Sequence, residues 1–375
     1  MSAPDPTTLV LPSDLRPTDG RFGSGPSKVR TEALTRLAAT GASFLGTSHR
    51  RDGVKSVVRR VREGLAEVFS LPADYEVVLG NGGSTALWDA LAFGMVEERA
   101  EHVVIGEFSS KFAEVTRSAP FLADPVVVRS EPGTRTAAVP DPSVDLYALI
   151  HNETSTGVMC EVVRPEGVHG VVAVDATSGA GALRVDPTQF DCYYFAPQKA
   201  FGSDGGLWIA LCSPAAVDRI ARVSGSGRWI PPSLDLTTAV ENSRLDQTYN
   251  TPALATLFLL CDTVEWINAE GGLAWSTARC DRSAEILYGW AEERPFVTPF
   301  VAEPAARSHA NATLEFSGVD ATALSAALRA NGVVDVEPYR KIGANQLRVA
   351  LFPTVEPDDV GTLTRALDFL VDALS

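Results

Sequence analysis

The segments VVAVD, at residues 171–175, and CYYFAPQK, at residues 192–199, are the most informative about the architecture of this chain. Each contains a nearly continuous apolar run, which is typical of a strand that is buried on both faces of a parallel sheet. A polar residue ends or closely follows each run, Asp175 in the first stretch and Lys199 in the second. Because open α/β sheets bind ligands at the carboxyl ends of their strands, we expect Asp175 and Lys199 to face one crevice.

Similar apolar runs recur along the first half of the chain and alternate with helical patterns. Short β-branched runs bounded by turn residues predict strands, and apolar residues at helical spacing predict helices. This alternation is typical of an α/β fold with a mostly parallel sheet. The predicted strands are Tyr75–Leu79, His102–Ile105, Pro125–Val128, Leu146–Ile150, Val171–Val174, Cys192–Phe195 and Leu207–Leu211, and the predicted helices are Thr31–Gly41, Lys55–Phe69, Thr85–Val96 and Ser109–Ser118.

The pattern changes after residue 215. Two long helices are predicted around the Gly271-Gly272 break, and a strand–helix–strand–helix series follows them. We therefore predict an N-terminal arm at residues 1–20, a large α/β domain at 21–268 and a smaller α+β domain at 269–375. The later predicted elements are helices at Ala253–Asn268, Leu273–Arg294, Ala321–Asn331 and Val360–Leu374, and strands at Ala312–Phe316 and Gln346–Phe352.

Composition argues against several classes of protein. The 375 residues carry a formal net charge of −15, which disfavours nucleic acid and anionic membranes as partners. The five cysteines and five histidines are scattered without the spacing of a metal site, so we predict no metal. There is no signal-peptide pattern and no apolar run long enough to span a membrane, which favours a cytoplasmic protein.

A carboxylate and an amine at neighbouring strand ends have a specific chemical use. Pyridoxal 5'-phosphate needs a lysine for its Schiff base and an acid that keeps its pyridine nitrogen protonated. Burial lowers the pKa of such a lysine and makes its amine nucleophilic. Taken singly, Asp175 could cap a helix and Lys199 could be a surface charge. Their occurrence together favours the cofactor site.

A glycine-rich turn, Gly80-Asn-Gly-Gly-Ser-Thr85, follows one predicted strand and opens a helix. Backbone N–H groups and the positive end of the helix dipole suit a phosphate there, and Ser84 and Thr85 add hydroxyl groups. The turn matches neither the P-loop nor the dinucleotide-binding fingerprint. A tight turn with an ordinary helix cap is the alternative interpretation.

Several cations could receive an anionic substrate. Ser48-His49-Arg50-Arg51 lies in a predicted loop, where a solvated basic loop is the alternative. Arg348 lies in a predicted strand, where a buried guanidinium needs an anionic partner. Together with Arg340, these cations could hold a dicarboxylic or phosphorylated substrate through bidentate contacts.

At this point the segments resemble those of the phosphoserine aminotransferases, class-V members of the fold type I aminotransferases, and most closely the actinobacterial form. The resemblance extends from about residue 20 to the C-terminus and keeps the motifs in order. It implies a large domain with a mostly parallel seven-stranded sheet and a smaller α+β C-terminal domain. The matching segments are RFGSGPSKV, GTSHR, LGNGGST, HNETSTGV, VDATSGAG, FAPQK, YNTP and QLRVALFP.

The resemblance also implies roles for the matched residues. Lys199 would hold pyridoxal 5'-phosphate as a Schiff base and move the substrate proton, and Asp175 would pair with the pyridine nitrogen. The remaining contacts would be Phe108 on the ring face, Thr154 at the phenolic oxygen, Ser84, Thr85 and Gln198 at the phosphate, and Asn250 and Thr251 at that phosphate from the partner subunit of a homodimer. Arg348 would bind the substrate α-carboxylate, and His49, Arg50 and Arg340 would bind its distal anion.

Three positions depart from the pattern of the family. Phe108 stands where a tryptophan commonly stacks on the ring, and a phenylalanine still stacks and excludes water. Ser84 replaces an arginine of the glycine-rich loop, and Tyr339 stands where histidine is common. The last two changes leave the anion site less basic.

The resemblance implies a reversible amino transfer in serine biosynthesis. L-Glutamate and 3-phosphohydroxypyruvate would give 2-oxoglutarate and O-phospho-L-serine, with a side activity on a phosphorylated precursor of vitamin B6. The alternatives are another class-V enzyme (a serine–glyoxylate aminotransferase or a cysteine desulfurase that uses Cys160), a nucleotide-binding dehydrogenase, and a non-catalytic ligand-binding protein of the same architecture.

Overall fold

The structure is a computed structural model that describes residues 5–339 and 345–374. Its strands are β1 (Glu76–Asn81), β2 (Ala100–Val104), β3 (Val126–Arg129), β4 (Leu146–Ile150), β5 (Asn152–Glu153), β6 (Val158–Met159), β7 (Val171–Asp175), β8 (Cys192–Phe195), β9 (Leu207–Cys212), β10 (Val297–Pro299), β11 (Asn311–Phe316) and β12 (Gln346–Ala350). Its α-helices are α1 (Thr31–Ala39), α2 (Asp52–Val68), α3 (Ser84–Gly94), α4 (Glu107–Ser118), α5 (Pro214–Ser224), α6 (Leu236–Arg244), α7 (Leu254–Glu270), α8 (Gly272–Glu292), α9 (Ala321–Ala330) and α10 (Pro357–Leu374).

The main sheet has seven strands in the order β1-β9-β8-β7-β4-β2-β3. Strand β9 runs antiparallel to both of its neighbours, and all other pairs are parallel. The expected mostly parallel seven-stranded sheet is therefore confirmed. Because β1 and β8 both oppose β9, the carboxyl ends of β1, β2, β4, β7 and β8 lie along one edge of the sheet.

Helices cover both faces of this sheet, which explains why most positions in its strands are apolar. On one face, α2 and α7 contribute fully buried side chains such as Val61, Leu65 and Val264. On the other face, α3 contributes Leu87 and Leu91. A parallel sheet covered on both sides needs apolar residues at successive positions, as in Val171–Asp175.

A second core lies in the C-terminal part of the chain. The antiparallel sheet β10-β11-β12 packs with α8, α9 and α10. Residues of the N-terminal stretch join this core: Leu11 and Phe22 are buried in it, and the Leu11 N–H donates to Asn331 Oδ1 at 2.8 Å. The predicted division into segments 1–20, 21–268 and 269–375 stays a prediction.

Five of these elements were not predicted from the sequence: the helices α5 and α6 and the strands β5, β6 and β10. Helices α5 and α6 have ordinary N-caps, since Ser213 accepts from Ala216 N and Asp235 accepts from Thr237 N. Serine and aspartate are common N-cap residues, so the sequence could have predicted where both helices begin. Among the described residues, no helix is long and apolar enough to cross a membrane.

Candidate active site

The carboxyl edge of the main sheet brings together residues that are far apart in sequence. Each comes from the end of a different parallel strand, as ligand sites of open α/β sheets do. They are Ser84 after β1, Phe108 after β2, Thr154 after β4, Asp175 at the end of β7 and Lys199 after β8.

Asp175 is buried at the end of β7 with a donor for each oxygen. The backbone N–H of Thr177 donates to Oδ1 at 2.9 Å, and the Trp88 Nε1–H donates to Oδ2 at 3.1 Å. Burial raises the pKa of the Asp175 carboxyl, while the hydrogen bonds from Thr177 and Trp88 oppose that rise. The carboxylate still has lone pairs with which to accept a further donor.

The amine of Lys199 is held against the N-terminal segment. Its Nζ donates to the carbonyl oxygen of Ser24 at 2.7 Å. Burial, and next the Arg348 cation, lower the pKa of Lys199 from 10.5 to about 8. Gly25 has a φ of +132°, and a Cβ there would lie 2.0 Å from the Lys199 Nζ. Only glycine therefore leaves room for this amine.

The expected phosphate end of the site lies at the start of α3. Ser84 is the first residue of the helix, is buried, and accepts a hydrogen bond from Thr177 Oγ1 at 2.7 Å. The adjacent Thr85 is exposed and lines a cavity of about 520 Å³ with Trp88. The buried Gln198 Oε1 has no hydrogen-bond partner within the described part of the chain.

Phe108 lies in an aromatic wall next to the lysine. Its ring centroid is 5.8 Å from that of Tyr339 and 6.0 Å from the Lys199 Nζ. The side chain of Glu153 fixes this region, because it accepts from the backbone N–H of Phe108 at 3.3 Å and from Ser109 Oγ at 2.9 Å. Glu153 is fully buried, and it also accepts from Ser109 N, Ser155 N and Ser155 Oγ.

Thr154 and Arg348 meet at the junction with the C-terminal sheet. Thr154 Oγ1 donates to Ser178 Oγ at 2.6 Å, and the Thr154 carbonyl accepts from Arg348 Nη1 at 3.3 Å. The half-buried Arg348 guanidinium lies 5.4 Å from the centroid of the Tyr339 ring. Its hydrogen-bond acceptors within residues 5–339 and 345–374 are the backbone oxygens of Glu337 and Thr154, and neither is a carboxylate. The guanidinium is thus placed to accept an external anion.

His49, Arg50, Asn250 and Thr251 form a second, more exposed group near the end of β1. Thr251 Oγ1 lies 3.1 Å from His49 Nδ1, and the Thr251 carbonyl accepts from Asn81 Nδ2 at 3.0 Å. Arg50, Asn250 and Thr251 are exposed. No hydrogen bond joins this group to Asp175, Lys199 or Thr154 in the described residues. The predicted Arg340 lies outside the described residues.

Two residues of the site were missed in the sequence: Trp88, which donates to Asp175, and Glu153. The Ser84–Trp88 spacing of one helical turn was a legible signal for Trp88, since residues four apart share a helix face. Glu153 stands in the quoted HNETSTGV segment, and its contacts to residues 108 and 109 carried no sequence signal.

Pyridoxal 5'-phosphate fits the residues present on three observations of the structure. Asp175 is buried and keeps acceptor capacity for a ring nitrogen. The Lys199 amine reaches the same edge of the sheet next to an aromatic ring. A helix N-terminus with a buried hydroxyl, that of Ser84, suits a phosphate.

Comparison with known proteins assigns the chain to a class. The family model "Aminotransferase class-V" matches residues 27–336, so the chain belongs to the class-V aminotransferase family. At the level of particular proteins, it is 57% identical to a phosphoserine aminotransferase of Nocardioides sp., over 98% of this chain and 99% of that one. It is 56% identical to a putative phosphoserine aminotransferase of Mycobacterium leprae, over 98% of each chain.

Solved structures agree on the fold at much lower sequence identity. The phosphoserine aminotransferase of Cytophaga hutchinsonii has a TM-score of 0.87 at 21% identity, covering 94% of this chain and 99% of that one. That of Bacillus circulans subsp. alkalophilus has a TM-score of 0.84 at 21% identity, covering 95% and 99%. The expected fold type I architecture is therefore confirmed.

Proposed function

We propose that this protein is a pyridoxal 5'-phosphate-dependent transaminase that acts on L-glutamate and 3-phosphohydroxypyruvate. It would form O-phospho-L-serine and 2-oxoglutarate. The relatives that are more than half identical over nearly the whole chain support this substrate pair. The observation that carries the proposal is the placement of the buried Asp175 and the Lys199 amine at one edge of the main sheet, with the Arg348 guanidinium close enough that its charge lowers the pKa of Lys199.

The cofactor, when bound, supplies an electron sink for the bond broken at the substrate Cα. The chain supplies the proton chemistry. With its pKa lowered to about 8, Lys199 has an appreciable neutral fraction near physiological pH, so it can take a proton at Nζ and return it. Asp175 would hold the ring nitrogen protonated, and Thr154 would hold the phenolic oxygen.

Arg348 would bind the α-carboxylate that both amino-acid substrates share. A guanidinium binds a carboxylate through two parallel hydrogen bonds, which orients the substrate as well as holding it. Burial lowers the pKa of Arg348, yet an arginine stays protonated in proteins. Phe108 and Tyr339 would cover the ring and exclude water beside it.

The distal anion of the substrate needs further cations, and the exposed group around His49 and Arg50 is the candidate. We infer that the protein works as a homodimer, in which Asn250 and Thr251 reach the phosphate of the partner's cofactor. The exposure of both residues and the contact of Thr251 with His49 support this inference. Burial, and next the Arg50 cation, lower the pKa of His49.

The cysteine desulfurase alternative is disfavoured by the state of its candidate nucleophile. Burial raises the pKa of the Cys160 thiol to about 12. A thiol with so high a pKa supplies almost no thiolate near neutral pH, and the thiolate is the nucleophile.

A steady-state assay tests the proposed reaction. Purified protein loaded with cofactor is mixed with L-glutamate and 3-phosphohydroxypyruvate, and 2-oxoglutarate and O-phosphoserine are measured together. We expect equal amounts of the two products. Parallel assays replace the keto acid with hydroxypyruvate or glyoxylate. If either unphosphorylated acid gives a higher kcat/KM than 3-phosphohydroxypyruvate, the proposed substrate is wrong. The assignment of the protein as a transaminase would still stand.

A further inference from the structure

The indole of Trp88 contacts the carboxylate that faces the cofactor site. Its Nε1–H donates to Asp175 Oδ2, and the side chain is 3% exposed. The other oxygen of Asp175 accepts from the backbone of Thr177. One of the donors that hold Asp175 is therefore a side chain from a different element, helix α3.

The same helix also begins the expected phosphate site. Ser84 is its first residue and Trp88 stands one turn later, so both project from one face of α3. Ser84 accepts from Thr177 Oγ1 at 2.7 Å, and Trp88 donates to Asp175. Two side chains of one helix face thus bind the two polar residues at the end of β7.

We propose that Trp88 is a positioning residue that keeps Asp175 ionised and aimed at the pyridine nitrogen, so that α3 couples the phosphate end of the pocket to its ring-nitrogen end. This inference rests on the proposed function, because it requires the cofactor to bind beside Asp175. It goes beyond that function by assigning a role to the indole N–H.

The physical reason is the burial of Asp175. An apolar environment favours the neutral acid, whereas an N–H that donates to the carboxylate favours the ionised form. A neutral Asp175 would not hold a proton on the ring nitrogen. The competing explanation is packing, because the Trp88 ring also stacks on Phe112 with ring centroids 6.4 Å apart and planes at 15°.

Two ligands separate these explanations: pyridoxal 5'-phosphate and its deaza analogue, in which a C–H replaces the ring nitrogen. Dissociation constants of both are measured by absorbance titration of cofactor-free wild type and Trp88→Phe. The substitution removes the N–H and retains an aromatic ring. We expect the affinity for pyridoxal 5'-phosphate to fall about tenfold, as for loss of a hydrogen bond to a charged group, with little change for the analogue.

The preference is the ratio of the dissociation constants of the analogue and of pyridoxal 5'-phosphate, both measured on the same protein. A general loss of stability would affect both constants and would leave the ratio unchanged. Phe112→Leu is the matched control, since it removes the stacking partner and leaves the N–H. It should keep the wild-type ratio. Trp88→Leu, which also lacks the N–H, replaces Trp88→Phe if that protein does not fold.

The proposal is overturned if Trp88→Phe keeps the wild-type ratio, whether both affinities fall equally or neither changes. It is also overturned if Phe112→Leu lowers the ratio as much as Trp88→Phe does. A wild type that binds neither ligand would refute the proposed function itself, and the inference with it. A wild type that prefers pyridoxal 5'-phosphate, with a variant that retains this preference, refutes the role of Trp88 alone.

Discussion

The two halves of the candidate site are built in different ways. On the cofactor side, Asp175, Thr154 and Ser84 are 4–7% exposed, and each is fixed by a hydrogen bond to another residue of the site. On the substrate side, Arg50 is exposed on a loop and Arg348 donates no hydrogen bond to a carboxylate of the described residues. The difference indicates that hydrogen bonds fix the residues that would contact the cofactor, whereas the cations that would bind the substrate remain available to an anion.

Lys199→Ala gives the largest expected effect on the cofactor side. Without the amine, the proton at the substrate Cα has no acceptor, and acid–base catalysis of this kind contributes about 10²–10⁴-fold. We expect no productive cycle in the steady-state assay. Lys111→Ala is the matched control, because this exposed lysine lies 5.0 Å from the centroid of the same Phe108 ring. Comparable losses in the two variants would contradict the assignment.

Arg348→Gln gives the largest expected effect on the substrate side, because it removes the guanidinium that would bind the α-carboxylate. Loss of one partner of a charge pair costs about 2–5 kcal/mol, so kcat/KM should fall by at least about thirtyfold for glutamate and for the keto acid alike. The loss should appear mainly in KM. Arg348→Lys keeps the charge without the planar fork and should recover only part of it. A loss confined to one of the two substrates would show that Arg348 does not bind the shared α-carboxylate.

Glu153→Gln removes hydrogen bonds on the cofactor side and leaves the proposed substrate-binding cations unchanged. The N–H groups of Phe108 and Ser109 donate to different oxygens of Glu153, and the glutamine NH₂ that replaces one of these oxygens cannot accept a hydrogen bond. One of the two donors therefore loses its acceptor, and the free energy of unfolding should fall by about 1–3 kcal/mol. Displacement of Phe108 should also lower kcat by about tenfold. Denaturant unfolding and steady-state kinetics measure the two effects. The control Glu161→Gln changes an exposed residue and should alter neither quantity. If Glu153→Gln unfolds with the wild-type free energy, Glu153 does not fix the region of Phe108 and Ser109.

The smallest effect is a shift in the pH dependence of cofactor uptake. Only the neutral amine of Lys199 attacks the cofactor aldehyde. The rate at which cofactor-free protein takes up the cofactor should therefore rise with pH, with a midpoint near pH 8. Removing the Arg348 cation removes a charge that lowers this pKa, so Arg348→Gln should move the midpoint upward. Stopped-flow absorbance measures it. A midpoint that moves downward in the variant would contradict the electrostatic coupling.

Much of the fold could be predicted because buried parallel strands leave a local signal. Leu146–Ile150 and Cys192–Phe195 were predicted with their observed bounds, since each is a short apolar run between turn residues. Lys199 and Asp175 could be paired because parallel strand ends share an edge. The helical spacing placed Trp88 on the face of Ser84, but its partner Asp175 lies 87 residues away, and the contact of Glu153 with Phe108 spans 45 residues. Neither partner could be read from a local pattern. The contact between His49 and Thr251 joins two loops about 200 residues apart, which no local pattern encodes.

In the proposed reaction, one lysine-bound cofactor serves glutamate and then the phosphorylated keto acid. Adding the substrates in turn to stoichiometric amounts of loaded protein, while the near-visible absorbance of the cofactor is followed, tests this claim. We predict that L-glutamate removes the band, that 3-phosphohydroxypyruvate restores it, and that the Lys199→Ala protein does not complete this cycle. A protein that takes up no cofactor, or whose band does not respond to glutamate, would contradict the claim.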